Sequence, residues 1–219
     1  MTQSLYSMII LDYQKKHHKK IIHACVFALK QGKVVAYPTD TSYALAVDAS
    51  NISAIKNLYK VKGRDFKKAV SIVSPSPAYS KKIVKWDKVS SRLAKKFWPG
   101  AITLLQELRI KNKELRILTA GTNFLAIRVP KNIIALDLAH QLGHPITATS
   151  ANVSGNNDCY SADEILAQYK NKKVKPDIIL NAGKLPKHKP STLVKINNNQ
   201  IEILRAGPIT KNQILKALK

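Results

Sequence analysis

Pro145-Ile146-Thr147-Ala148-Thr149-Ser150-Ala151-Asn152-Val153-Ser154-Gly155 runs from a short apolar segment, 145–148, into small polar residues and a closing glycine. A strand that ends this way lets the backbone approach a ligand and surrounds it with hydroxyl, amide and N–H donors. Phosphates and nucleosides are held by such groups. Taken alone, 150–155 also reads as an ordinary turn, because Ser, Asn and Gly are the usual turn formers. Three other segments give it weight: Tyr37-Pro38-Thr39-Asp40-Thr41, Lys62-Gly63-Arg64 and Ser191-Thr192.

Outward from this stretch, helical and strand patterns alternate. Ile21, Ile22, Cys25, Val26 and Leu29 repeat at helical spacing until Gly32. Asn51 caps a helix carrying Ile52, Ile55 and Tyr59. Further helices are predicted around 78–84, 90–97 and 132–142, after the capping sequence Ser161-Ala162-Asp163-Glu164, and from Thr210 with Gln213. Strands are predicted at 34–37, 70–73, 101–108, 124–129, 177–180, 192–196 and 200–204, the last pair as a hairpin through Asn197-Asn198-Asn199. The order implies one α/β domain, 1–219, on a single twisted, mixed, open sheet. Its core covers about 15–209, with a short N-terminal extension and a C-terminal helix. No internal repeat is visible.

Composition excludes several classes. A hydrophobic content of 45% argues against disorder. No long uncharged apolar run suggests a membrane span, and no signal-like segment opens the chain. Cys25 and Cys159 lack CxxC spacing and metal-like neighbours, so they read as reduced thiols of a cytoplasmic protein without a structural metal. Lys and Arg number 37 against 13 Asp and Glu, a formal charge of +24. Such a surface attracts polyanions. The lysines are scattered, however, and no recognition-helix, zinc-finger or aromatic RNA-binding motif accompanies them. The charge reads as a solvated face with some affinity for RNA, and the run 15–20 as a solvated helix start.

The remaining segments carry candidate chemistry. Lys62-Gly63-Arg64, with Lys67 and Lys68 behind it, offers cations on a loop that can fold around an anion, or else another solvated basic run. Thr39, Asp40 and Thr41 follow a strand and a stiffening proline; they suit a functional loop or a turn in which Asp40 bonds local backbone. Arg128 interrupts the apolar run 126–129, so its charge needs an acidic partner or a ligand. Arg205 raises the same question. Two such arginines suit a substrate bearing both a carboxylate and phosphates.

Together these segments resemble the YrdC-like family of threonylcarbamoyl-AMP synthases. The matching pieces, in order, are YPTDTSY at 37–43, KGR at 62–64, FWPGAITL at 97–104, IRVP at 127–130, TSANVSG at 149–155, STLV at 191–194 and LRAG at 204–207. The resemblance spans nearly the whole chain. It implies an α/β fold with a concave, positively charged cavity. It further implies synthesis of threonylcarbamoyl-AMP and pyrophosphate from L-threonine, bicarbonate and ATP, the product serving N6-threonylcarbamoyladenosine formation in tRNA.

The resemblance assigns roles by position. Thr41, Arg128 and Ser191 would hold L-threonine, and Ala148 would line its pocket. Arg64, Lys68, Ser150, Asn152 and Arg205 would bind ATP. Lys62, Arg64 and Lys68 would neutralise the phosphates, with Mg²⁺ bridging them and no metal ligand from protein side chains. Asp40 is a conceivable base, although a role in holding its loop fits better; no Ser–His or Cys–His pairing is expected. Handover to a separate threonylcarbamoyl transferase complex is implied, tRNA contact by this chain is left open, and no membrane partner is expected. The chain departs from the pattern at Ala44, Ala69, Asn181-Ala182-Gly183 and Pro190, which alters loop geometry, and Val73 and Phe124 fall where some members contact substrate. The extra C-terminal domain of longer relatives is not expected. Two other readings stand: a non-catalytic RNA-binding module using the same cavity, and a carbamoyl-phosphate-handling domain, which normally sits in a larger protein with zinc-finger-like cysteine pairs.

Overall fold

The computed structural model describes residues 8–110 and 112–219. In chain order the elements begin β1 (Ile9–Asp12), α1 (His18–Lys30), β2 (Val35–Pro38), β3 (Tyr43–Ala46), α2 (Ile52–Lys62) and β4 (Ile72–Val73). They continue α3 (Pro77–Ile83), α4 (Lys88–Phe97), β5 (Ile102–Glu107), α5 (Lys113–Leu118), β6 (Phe124–Arg128) and α6 (Ile133–Leu142). The last are β7 (Ile146–Thr147), β8 (Thr149–Ser150), α7 (Ala162–Tyr169), β9 (Ile178–Asn181), β10 (Thr192–Asn197), β11 (Gln200–Arg205) and α8 (Lys211–Leu218).

The single sheet expected from the sequence is corrected to two. One has the order β1-β9-β2-β3-β8, the other β11-β10-β5-β6-β4-β7, and both mix parallel with antiparallel neighbours. The division lies inside the opening stretch. Ile146 and Thr147 pair antiparallel with β4, whereas Thr149 and Ser150 pair antiparallel with β3. Ala148 stands between them, its N–H donating to the Ser71 carbonyl at 2.7 Å. One extended run therefore passes from one sheet to the other. Strands this short take their partners from distant segments, which no local pattern reveals.

Two apolar clusters hold the layers together. In the smaller, Ile22, Cys25, Val26 and Leu29 of α1 pack with Ala135, Leu138 and Leu142 of α6 and with Val35 and Leu180. The i, i+3, i+4, i+7 spacing on α1 puts those four side chains on one stripe. Each fully buried aliphatic of this kind contributes about 1.5–3 kcal/mol. The larger cluster draws Ile55, Leu58, Leu93, Leu104, Leu125, Ile127, Ile165 and Ile214 into one core.

Local signals act as expected at most ends. Asn51 and Asn132 cap α2 and α6, and Gly63 and Gly143 end them in left-handed conformations. Thr210 and Gln213 form a reciprocal capping box on α8. Only half of the expected box forms on α7: Ser161 accepts from the Glu164 N–H, while the Glu164 carboxylate accepts from the Tyr160 N–H. The β10–β11 hairpin turns through Asn198 and Asn199 at φ 50° and 62°, as a two-residue type I′ turn requires.

Of the expected N-terminal extension, residues 1–7 lie outside the described residues, and Ile9–Asp12 pairs parallel with β9 at the edge of its sheet. The basic run at 15–20 is not wholly solvated. His18 Nε2 lies 2.6 Å from Asp137 Oδ2 and its Nδ1 3.0 Å from the Tyr13 hydroxyl, tying α1 to α6. Among the described residues no helix is long and apolar enough to cross a membrane.

Candidate functional site

A cavity of about 460 Å³ opens where the two sheets meet. Thr39 and Thr41 reach it from the β2–β3 loop, Arg64 from the end of α2, Thr103 from β5 and Arg128 from β6. Ala148 and Ser150 line it from the sheet crossing, and Ser191 and Arg205 from the β10–β11 hairpin. Three guanidinium groups thus meet one lining carboxylate, Asp158.

Arg128 is only 7% exposed. One guanidinium nitrogen donates to the Asp40 carboxylate and the other to the Thr41 hydroxyl at 3.0 Å. Its Nε has no hydrogen-bond partner among the described residues. Burial pulls the Arg128 pKa down, Asp40 opposes that fall, and the charge of Arg205 adds to it. Two of the five N–H donors of the guanidinium are used by Asp40 and Thr41, so this buried ion pair keeps capacity for a further acceptor. Asp40 also accepts from the Lys131 N–H at 3.2 Å, so it spans strand end and loop.

A second group is built on Ser191. Its hydroxyl lies 2.7 Å from the Thr103 hydroxyl and accepts from Arg205 at 3.2 Å, while Arg205 Nε donates to the Ser191 carbonyl at 3.0 Å. Two adjacent donors of one guanidinium thus grip one residue. Burial lowers the Arg205 pKa, with Asp158 opposing.

Lys62 lies beneath the loop that follows β8. Its ammonium donates to the Ser150 carbonyl at 2.5 Å, the Asn152 carbonyl at 3.1 Å and the Asn152 side-chain oxygen at 2.6 Å. With the Ser150 hydroxyl at 3.5 Å, four oxygens surround its three N–H donors, and the residue is 2% exposed. Burial pulls its pKa down to about 8, helped by Arg64 and opposed by Asp158 and Cys159. The Asn152 amide donates onward to the Asn156 carbonyl, and its oxygen accepts from the Ser150 hydroxyl at 2.6 Å. Arg64 closes its own loop by donating to the carbonyls of Lys68 at 3.2 Å and Ala69 at 2.7 Å.

Of the residues singled out in the sequence, Thr41, Arg64, Arg128, Ala148, Ser150, Ser191 and Arg205 line the cavity. Lys62 and Asn152 sit behind its wall, joined to Ser150. Lys68 is exposed on the loop after Arg64 and does not line it. Thr103 and Asp158 line it as well, and neither was singled out. Thr103 was hidden within an apolar strand pattern; Asp158, in a polar loop, carried no pattern. Among the departures, Ala44, Ala69 and Pro190 line the cavity. Among the described residues no three His, Cys, Asp or Glu side chains converge on a metal-sized site. A cation here would be held chiefly by the oxygens of a bound ligand, with Asp158 the one carboxylate on the cavity wall among the described residues.

A family model described as Telomere recombination, Sua5_yciO_yrdC, matches residues 27–207. A protein of Methanocaldococcus jannaschii described as a putative threonylcarbamoyl-AMP synthase is 30% identical, with 91% of this chain and 92% of that protein covered. The threonylcarbamoyl-AMP synthase of Bacillus subtilis is 32% identical over 85% of this chain and 53% of its own length. Among solved structures, Pyrococcus abyssi Sua5 complexed with L-threonine superposes with a TM-score of 0.86 at 28% identity, over 97% of this chain and 61% of that one. The chain thus spans nearly the whole of the first relative and little more than half of the other two.

Proposed function

This chain belongs to the Sua5/YciO/YrdC family, and on that premise we propose that it condenses L-threonine, bicarbonate and ATP into threonylcarbamoyl-AMP and pyrophosphate. One observation carries the reading: residues from segments as far apart as Thr41, Arg64, Arg128, Ala148, Ser150, Ser191 and Arg205 line one cavity. The carboxylate-sized end and the phosphate-sized end of the expected substrates find cations at Arg128 and at Arg64 with Arg205.

In this reading Arg128 pairs with the threonine carboxylate through guanidinium N–H donors that Asp40 and Thr41 leave unused. Thr41, Ser191 and Ala148 complete that end. Arg64, Arg205, Ser150 and, from the loop rim, Lys68 receive the nucleotide, and Lys62 and Asn152 shape the loop that carries Ser150. The threonine amine bonds to the bicarbonate carbon, a C–O bond breaks and water leaves, giving the carbamate; a carbamate oxygen then attacks the α-phosphorus, the bond to the bridging oxygen of the β-phosphate breaks and pyrophosphate leaves. Positioning and charge neutralisation dominate such transfers. Mg²⁺ arriving with ATP would rest on phosphate oxygens and add to that neutralisation. The product then passes to a separate transferase acting on tRNA.

The test is pyrophosphate release from the purified chain with ATP, Mg²⁺, bicarbonate and L-threonine, each omitted in turn. Release that needs both threonine and bicarbonate is expected. A folded protein that releases none under any combination overturns the reading, and retention of tRNA by that protein then favours the RNA-binding alternative.

A further inference from the structure

Thr103 carries no role in the function proposed above. Its position gives it one. On β5 it is the direct cross-strand partner of Arg128 on β6, and on its other side it registers with Leu193 of β10. Directly opposed residues share a face, with Cβ atoms about 4.5–5.5 Å apart. Both residues line the cavity, so an amino acid whose carboxylate sits on Arg128 lies beside Thr103. Thr103 is 3% exposed and lines the cavity.

The hydrogen inventory fixes what it presents. The Thr103 and Ser191 hydroxyls lie 2.7 Å apart, and Ser191 Oγ also accepts from Arg205. Beyond these contacts neither hydroxyl has a partner among the described residues. Two hydroxyls own two protons, and their mutual hydrogen bond uses one. If Thr103 donates to Ser191, the Ser191 proton is free; if Ser191 donates, the Thr103 proton is free. Either way one O–H donor is left at the cavity wall. Arg205 already serves the pair as a donor, so an added acceptor atom is what the pair lacks.

We infer that Thr103 is a specificity-determining residue: with Ser191 it forms a hydroxyl pair that donates one hydrogen bond to the side-chain oxygen of a β-hydroxy amino acid. This rests on the proposed function, since it refines which amino acid that site takes. A valine side chain matches threonine in shape and offers no acceptor, so the pair would keep an unused donor beside it. Sites built to bond a hydroxyl discriminate strongly against analogues without one.

The experiment compares L-threonine with L-valine by pyrophosphate release and by calorimetric binding, for the wild-type chain, Thr103→Val and Thr103→Ser. Thr103→Val keeps the β-branched shape that suits a strand. It should lower kcat/KM for threonine by roughly 10-fold to 100-fold and change that for valine by less than about 3-fold, so the preference ratio collapses. Thr103→Ser, which retains the hydroxyl, should keep most of the ratio. An equal fall for both amino acids, or an unchanged ratio in Thr103→Val, overturns the inference while leaving the function intact. A wild-type chain that neither binds threonine nor releases pyrophosphate overturns both.

Discussion

The Lys62 ammonium and the Asn152 side-chain oxygen lie 2.6 Å apart beneath the loop that follows β8, and the ammonium also donates to the Asn152 carbonyl and, at the end of β8, to the Ser150 carbonyl. A cation that a basic motif offered for phosphate is thus fully engaged by the protein. Removing it would strand acceptors from which water is excluded. Lys62→Met, which preserves the aliphatic stem, should destabilise the fold by about 2–3 kcal/mol, the cost of a few buried unsatisfied groups that can partly relax. Urea unfolding measures this. An unchanged midpoint together with lost activity would mean that Lys62 acts on the substrate directly.

Lys68 supplies the contrast. It is exposed, and no hydrogen bond or ion pair of its side chain is seen among the described residues. Lys68→Ala should therefore leave stability within about 0.5 kcal/mol of the parent. If it reaches ATP from the loop rim, KM for ATP rises while KM for threonine holds. No change in either constant removes Lys68 from the nucleotide site.

Much of this architecture was legible because its causes are local. Gly32, Gly63 and Gly143 sit at φ 75°, 59° and 77°, where a side chain would be strained. The Asn51 and Asn132 caps and the Asn198-Asn199 turn follow from side-chain chemistry within a few residues. What was not legible depends on distant segments. β1 exists because β9 pairs with it, and β7 and β8 are two residues each, assigned to different sheets by β4 and β3. The contact between Lys62 and Asn152 spans 90 positions, so a basic motif read alone suggested an exposed phosphate clamp. Thr103 lay in a matching piece, 97–104, without a role of its own; its hydroxyl gains meaning from Ser191, 88 residues away.

Arg128 requires its fork. Arg128→Lys would retain one charge beside Asp40 but lose the planar fork whose separate nitrogens reach Asp40 and Thr41 and can still meet a carboxylate side-on. KM for L-threonine is expected to rise at least about 10-fold, with KM for ATP much less affected. A rise shared equally by both substrates would point to general disruption of the cavity instead.

Cys25 and Cys159 are fully buried, and burial raises each thiol from 9.0 to about 12, Glu164 and Asp158 adding to the effect at Cys159. The folded state therefore holds each proton more tightly than the unfolded chain. That contribution is complete below about pH 9 and is lost as pH climbs toward about 12. For one such group the loss is about 1.4 kcal/mol per pH unit across the window. The stability difference between the wild-type chain and Cys25→Ala should shrink over that range, as unfolding by urea at several pH values can show. A difference independent of pH would contradict the burial effect. At pH 8 a thiol reagent should modify either residue only as fast as the protein opens.

Tyr43 joins β3 to the loop between β9 and β10. Its hydroxyl donates to the Gly183 carbonyl at 2.8 Å and accepts from the Ala182 N–H at 2.9 Å, and Gly183 adopts φ 80°. Farther along the same loop, Pro190 lines the cavity. Tyr43→Phe removes one oxygen and leaves the ring in the core, so the fold should lose only about 1–2 kcal/mol. The loop loses both of those anchors at once, while the Leu185 N–H bond to the Tyr160 carbonyl and the contact of the Tyr160 hydroxyl with the His188 carbonyl persist. Amide exchange at Ala182 and Gly183 should accelerate while β2 and β3 keep their protection. If the loop closes over substrate, KM for threonine and ATP rise together because an ordered wall must be rebuilt on each binding event. Unaltered exchange at Ala182 would show that Asn181, whose side-chain oxygen accepts from the Gly183 N–H at 3.0 Å, holds the turn by itself.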